Sequence, residues 1–328
     1  ERYLYDFTDL LENFIAEAEP PELDLLVVDE AQDLSRLQWQ MVIKLSSRAK
    51  RVIVAGDDDQ AVFSWAGADV GFFINLQGQR RVLGQSYRVP GKVQAIANDI
   101  IQRVGTRVAK EWEPRDVDGG VSFHRTTDTV DMSKGTWLVL ARNNYQLDYA
   151  EEQCRREGLF YGRGRRSAVA ARSIRAIKAW EALRRGENVS AREAAAILPL
   201  ISHGGGTAPK EGTFSLLDLQ QLWAIKGQGI WHEAFDKMSL VERSYLVAML
   251  KRGEKITKTP RIRLSTIHSA KGGEADNVIL HTDMARRTYN NSLKYPEDEL
   301  RVFYVGATRA KEELHVIAPQ TNFYFQYI

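Results

Sequence analysis

A single cysteine, Cys154, is present among 328 residues, which excludes an intrachain disulfide and any multi-cysteine metal site. Packing is its expected role, and a reducing compartment fits. No run approaches the roughly 18 uninterrupted apolar residues of a membrane span, and nothing at the start has the charged-then-apolar layout of a signal peptide. A soluble, cytoplasmic protein with no membrane partner is expected. His203, His232, His281 and His315 lack metal-ligand spacing, so no structural zinc is expected. Also missing is a phosphate-cradling loop of the form G-x-x-x-x-G-K-[ST]; the nearest approach, Gly84 through Lys92, has the wrong spacing.

Charge of one sign is scarce in the balance: the net value is +2, which announces no polyanionic partner. The distribution is uneven, however. Arg155, Arg156, Arg163, Arg165, Arg166, Arg172, Arg175, Lys178, Arg184 and Arg185 face only Glu157 and Glu181, a local excess of eight. Such a segment suits a phosphate backbone or, equally, a solvated helix face.

A chain of this length exceeds what one core usually serves, so two or more domains are expected. Apolar, β-branched runs at 25–28, 52–55, 137–141, 262–266, 278–280 and 314–318 predict strands. Helical spacing at 38–45, 93–104 and 145–157 alternates with them, which gives an α/β pattern with mostly parallel sheets. Between about 171 and 255 strand signals vanish; Ser190 suits an N-cap for 191–198, and Gly204-Gly205-Gly206 marks a loop.

Residues 25–34 read Leu-Leu-Val-Val-Asp-Glu-Ala-Gln-Asp-Leu, a pattern for a parallel strand covered on both faces that ends in Asp29 and Glu30. One carboxylate suits Mg²⁺ and the other an attacking water, the division of labour of phosphoryl transfer. The next strand ends in Gly56-Asp57-Asp58-Asp59-Gln60, followed by Ala61 to Ala68 with Trp65 inside. Gly56 would permit a tight turn, and Gln60 offers an uncharged donor and acceptor. Arg88, beside Tyr87, is a candidate for stabilising a transferred phosphoryl group. Downstream lie Thr266 to Glu274, rich in hydroxyl and basic groups, and Tyr304 to Arg309, where an arginine in an apolar segment needs a partner. Core packing is the lesser alternative for Trp65, and Lys271 is either a phosphate contact or an ion-pair partner. Trp112, Trp180, Trp223 and Trp231 read as packing.

Taken in order, these segments resemble the motifs of superfamily 1 DNA helicases of the UvrD/Rep type. Asp29 to Asp33 is similar to the family's Walker B motif, Gly56 to Gln60 with Trp65 to Ala68 to its third motif, and Tyr87-Arg88 to its fourth. Thr266 to Glu274 and Tyr304 to Arg309 resemble the fifth and sixth, and Asp6 to Leu11 a segment just upstream of Walker B. The resemblance implies ATP and Mg²⁺ as cofactors and single-stranded DNA, or its junction with duplex, as partner, with 3′-to-5′ polarity. It implies that Asp29 holds Mg²⁺, Glu30 activates water, and Gln32 and Gln60 touch the nucleotide or its water. Arg88 and Arg309 would be arginine fingers, Tyr87 would stack on adenine, and Glu274 would lie near the ribose. Trp65 would stack on a DNA base, Thr266 and His268 would contact or sense the strand, and Arg142 would contact DNA or serve structure.

The chain begins with Glu1, and its first long strand already carries the acidic pair, so it reads as a fragment starting after the phosphate loop. The expected architecture is two RecA-like parallel-sheet domains, the first incomplete, with a small helical insertion in the second. Residues 1–85 would close the first domain, 86–184 and 256–328 form the second, and 185–255 the insertion. Two further departures from the family pattern are Ala66, where relatives often place an arginine, and the shortness of the insertion. The expected function is an ATP-dependent helicase or translocase core that is inactive alone for want of the phosphate loop. The alternatives are a catalytically silent docking module and the motor of a helicase-nuclease.

Overall fold

The computed structural model describes residues 4–164, 166–227, 229–256 and 259–328. The class is α/β with mostly parallel pairing, and the largest sheet has seven strands. Contacts divide the chain into two compact units, one of Glu1–Thr129, Leu140–Gln146 and Thr266–Ile328, the other of Val130–Val139 and Leu147–Ser265. Residues 1–129, 140–146 and 266–328 thus share one unit. Among the described residues no helix is long and apolar enough to cross a membrane.

In the first unit the helix Phe7–Glu17 starts at a reciprocal cap between Asp6 and Asp9, which satisfies donors that the first turn leaves orphaned. The strands Leu26–Val28 and Val52–Val54 pair in parallel. Successive side chains on a strand point to opposite faces. Val28 and Val54, opposite each other, pack toward a core of Ala31, Trp39 and Val42, the last two on the helix Arg36–Ser46. The ring of Trp39 lies 4.8 Å from that of Phe72. Val27 and Ile53 point the other way and are 57% and 39% exposed. The expected strand covered on both faces is thus corrected: this sheet has two strands, and the described residues clothe one side of it.

The same unit aligns the strands Gly120–His124, Ala310–Ile317 and Ala275–His281 in parallel, in that spatial order. The helix Pro296–Ala307 supplies Phe303, which stacks on Phe325 at 4.0 Å, and Gly306, where a Cβ would meet the Leu280 side chain at 2.9 Å. That close approach accounts for a glycine in the last turn of the helix, where a helical glycine otherwise costs up to about 1 kcal/mol against alanine.

In the second unit the strand Tyr161–Arg163 pairs in parallel with the strand Ile262–Thr266 and antiparallel with Arg166–Ser167. Helices Ala171–Arg184, Ala191–Ile197, Leu216–Trp223, Trp231–Ala234 and Leu240–Lys251 follow, and Ser190 caps the second of them with Glu193, as the sequence predicts. The expectation of no strands here needs one correction, because Val189–Ser190 and Thr213–Phe214 form a short antiparallel pair. Two-residue strands carry too little periodicity to read. Trp180, Trp223 and Trp231 are core, and Cys154 is buried, which pushes its thiol up to about 12.

Candidate functional site

The site grows from the turn after Leu26–Val28. Asp29 and Glu30 are both exposed, and the Glu30 backbone sits in the left-handed region at φ 51°, where a non-glycine residue is strained. The Asp29 Oδ1 accepts from the Glu30 N–H at 2.8 Å. Gln32 is fully buried; its Nε2 donates to Glu30 Oε2 at 2.6 Å, and its Oε1 accepts from the Asp57 N–H at 2.9 Å. This amide ties the first acidic turn to the second. It also explains Gly56 differently from the expected tight turn: φ there is not positive, but a Cβ would fall 2.5 Å from Gln32 Oε1 and 2.8 Å from the Phe73 ring.

Lys271 is an ion-pair partner: its Nζ lies 2.5 Å from Asp33 Oδ2 and 3.4 Å from Glu30 Oε2. Burial raises the Asp33 pKa above the ordinary carboxylate value, against the hydrogen bond and charge of Lys271.

The second acidic turn is strapped by residues that no sequence pattern singles out. Lys110 Nζ lies 2.8 Å from Asp57, 2.5 Å from Asp58 and 3.2 Å from Asp59. Arg107 grips both oxygens of Asp59 at 2.8 and 2.7 Å, and the Val108 N–H donates to Asp58 at 2.7 Å. Burial opposes ionisation of Asp57, but the Lys110 charge and several hydrogen bonds outweigh it and hold the carboxyl below its usual value. No spacing announces this strap; a basic residue pair at Arg107 and Lys110 resembles any solvated turn.

Gln60 Nε2 donates to Asp57 Oδ2 at 2.7 Å, and Gln60 Oε1 accepts from Arg309 Nη2 at 3.0 Å. Arg309 is only 1% exposed. Its Nε donates to the Val305 carbonyl at 2.9 Å and its Nη2 also to Thr308 Oγ1 at 3.2 Å, so the partner it needs consists of neutral oxygens. Among the described residues it has no carboxylate ion pair. Burial and then the nearby charge of Arg88 push its pKa down to about 10, which still leaves it ionised at neutral pH. Arg88 approaches Glu274 only loosely, at 3.9 Å, and its buried Nε has no hydrogen-bond partner among the described residues. Glu274 also faces Lys311 at 3.4 Å, and Tyr87 is 86% exposed. A cavity of about 1020 Å³, lined among others by Asp57, Gln60, Arg88, Lys110, Tyr304 and Thr308, adjoins these groups.

Another part of the same unit gathers Trp65, His268, Thr266 and Arg142. Trp65 is 73% exposed on a turn closed by Gly67 at φ 91°, so it is not core. Its ring lies 6.3 Å from Phe63 and 6.4 Å from His268. Burial and then the Arg142 charge push His268 down to about 4, so the ring is neutral at physiological pH. Arg142 forms a two-pronged pair with buried Glu299, both contacts at 2.7 Å. The Thr266 hydroxyl donates to Ser269 Oγ at 3.0 Å.

Four arginines of the basic run are paired with carboxylates. Arg155 pairs with Glu151, Arg163 with Asp148 and Glu151, Arg184 with Glu181, and Arg185 with Glu187. Arg165 lies outside the described residues. At these four positions the pairs favour the solvated-face reading over a phosphate track.

The UvrD/REP helicase N-terminal domain matches residues 3–80, and the UvrD-like helicase C-terminal domain matches residues 227–321. "ATP-dependent DNA helicase UvrD2" of Mycobacterium bovis is 27% identical over 95% of this chain and 51% of its own length. "DNA helicase II" of Haemophilus influenzae is 23% identical over 89% of this chain and 54% of its own. "ATP-dependent DNA helicase Rep" of Buchnera aphidicola is 34% identical over 40% of this chain and 21% of its own. An arterivirus nonstructural protein 10 helicase structure covers 90% of this chain and 39% of that one at a TM-score of 0.38 and 13% identity, too slight a likeness to carry inference. The chain spans about half the length of the relatives that align along most of it. With both family domains matched in order around the two acidic turns and Arg309, the chain belongs to the UvrD/Rep type of superfamily 1 helicases.

Proposed function

We propose that the chain is the ATP-hydrolysing core of a DNA helicase that translocates 3′ to 5′ along single-stranded DNA. The observation that carries this reading is Arg309: a buried guanidinium held by Gln60 and neutral oxygens, pushed by a second guanidinium, with two acidic turns in the same unit. Such a charge is poised for an anion that arrives and leaves. In this reading Arg88 and Arg309 stabilise the transferred phosphoryl group, and Gln60 orients the attacking water. Glu30, steadied by Gln32, takes the proton of that water. Tyr87 stacks on adenine and Glu274 lies near the ribose.

An exposed carboxylate beside a strand end suits Mg²⁺, which takes one or two carboxylates together with phosphate oxygens and water. Asp29 fits that role, and bound Mg²⁺ would neutralise charge developing on the phosphates. Residues 1–85 would act as part of one RecA-like domain and 86–184 with 256–328 as the other, with 185–255 inserted. ATP binding would draw the two arginines onto the phosphates, hydrolysis would release them, and Trp65 with Thr266, His268 and Arg142 would hold the strand between steps.

The 328 residues contain no G-x-x-x-x-G-K-[ST] cradle, so by themselves they should hydrolyse ATP negligibly. In a longer protein that carries one, DNA-stimulated turnover is expected, and Glu30→Gln should keep nucleotide binding while losing turnover. Wild-type turnover in that variant would remove Glu30 from the mechanism. The acid pair and both arginines speak against a silent docking module.

A further inference from the structure

A groove of about 410 Å³ in the first unit is lined by Arg142, Arg287, Thr288, Asn290, Asn291 and Lys294. None of these carries a carboxylate. The Arg142 charge is committed to Glu299, but Arg287 and Lys294 are exposed and have no ion-pair partner among the described residues. Both line the groove, Arg287 from the helix Arg286–Ser292 and Lys294 from the turn after it. The segment is anchored: Asn143 Oδ1 accepts from the Ala285 N–H at 2.8 Å, and Asn143 Nδ2 donates to Thr288 Oγ1 at 3.2 Å. The two asparagine amides and the threonine add neutral donors, a lining suited to phosphodiester oxygens.

Arg142 lines the groove and acts electrostatically on His268, whose ring lies 6.4 Å from that of the exposed Trp65 in the same unit. We propose that Arg287 and Lys294, with the amides between them, form a phosphate-binding subsite for the single strand whose bases stack on Trp65. This rests on the single-strand reading above and extends it to a segment outside the sequence motifs. A single strand is favoured over duplex because the same unit exposes the Trp65 ring, which only an unpaired base can cover.

The test is a titration of an unstructured fluorescent oligodeoxynucleotide at several salt concentrations, using the longer protein, unaltered and as Arg287→Ala/Lys294→Ala, Arg287→Glu/Lys294→Glu and Trp65→Ala. Circular dichroism would verify the fold; the substituted side chains are exposed. On a single strand, each phosphate left without its cation makes the slope of log affinity against log salt shallower by about 0.7, so the double alanine variant should be shallower by about 1.4. The glutamate pair should bind more weakly still, and Trp65→Ala should lose affinity with its slope unchanged. An unchanged slope in both folded double variants overturns the subsite, as does a shallower slope seen only with blunt duplex. Absence of binding by the unaltered protein overturns the single-strand reading itself.

Discussion

A guanidinium buried as deeply as that of Arg309 is ordinarily matched by a carboxylate, because an unmatched charge in a low-dielectric interior is costly. Here neutral oxygens do the holding, and Asp57 and Glu30 attract it only through space. Arg309→Ala should lower ATP turnover of the longer protein by about 10³, the scale of an arginine finger. Arg309→Lys should recover little, since an ammonium lacks the planar fork. Steady-state hydrolysis with saturating single strand measures this, and normal turnover in a folded variant would make Arg309 structural. At this scale the sequence was informative where chemistry is contiguous: Asp29 with Glu30, Gln60 after three aspartates, Arg88 after Tyr87. It was silent where partners are remote. Arg107 and Lys110 meet their aspartates from 48 and 53 residues away, and nothing in the local pattern of a short basic turn encodes that meeting.

The elements that deliver these side chains follow from periodicity and caps. Although Gln85–Pro90 and Gly120–His124, whose residues mix polar and apolar, went unread, the strands at 26–28, 52–54, 137–141, 262–266, 275–281 and 310–317 were legible from their apolar runs, and the helices Arg36–Ser46 and Gly91–Ile101 from their apolar spacing. The two-residue strands at Val189–Ser190 and Thr213–Phe214 were not, and neither was the bareness of the short sheet, since an apolar run reads the same whether one face is covered or two. The second acidic turn behaves as one element with its strap. Asp58 and Asp59 are buried, and Lys110 touches three carboxylates. Lys110→Met should therefore destabilise the fold by about 3 kcal/mol, the scale of removing one partner from a buried ion pair. Urea unfolding at neutral pH checks it. Because burial then acts on Asp57 without its main counter-charge, its pKa should rise. A loss well below 1 kcal/mol would show that Arg107 holds the turn alone.

At the scale of the whole molecule, net charge is nearly balanced, so long-range repulsion between copies is weak and short-range surface character decides how they meet. The sheet of Leu26–Val28 and Val52–Val54 then matters beyond the chemistry at its end. Each strand is paired along one edge, and Val27 and Ile53 stand opposite one another on the uncovered face. An open edge beside a bare apolar face is a template for other chains and a nucleus for cross-β stacking. Light scattering of the 328-residue protein should accordingly climb steeply with concentration. Val27→Lys with Ile53→Glu, an opposite-charge pair across the strands, should flatten that climb and leave the circular dichroism spectrum alone. Scattering unaltered by the pair would place the sticky surface elsewhere. The strand that carries Asp29 and Glu30 to their turn would then also set the colloidal limit of the protein, the concentration above which solutions turn cloudy on storage.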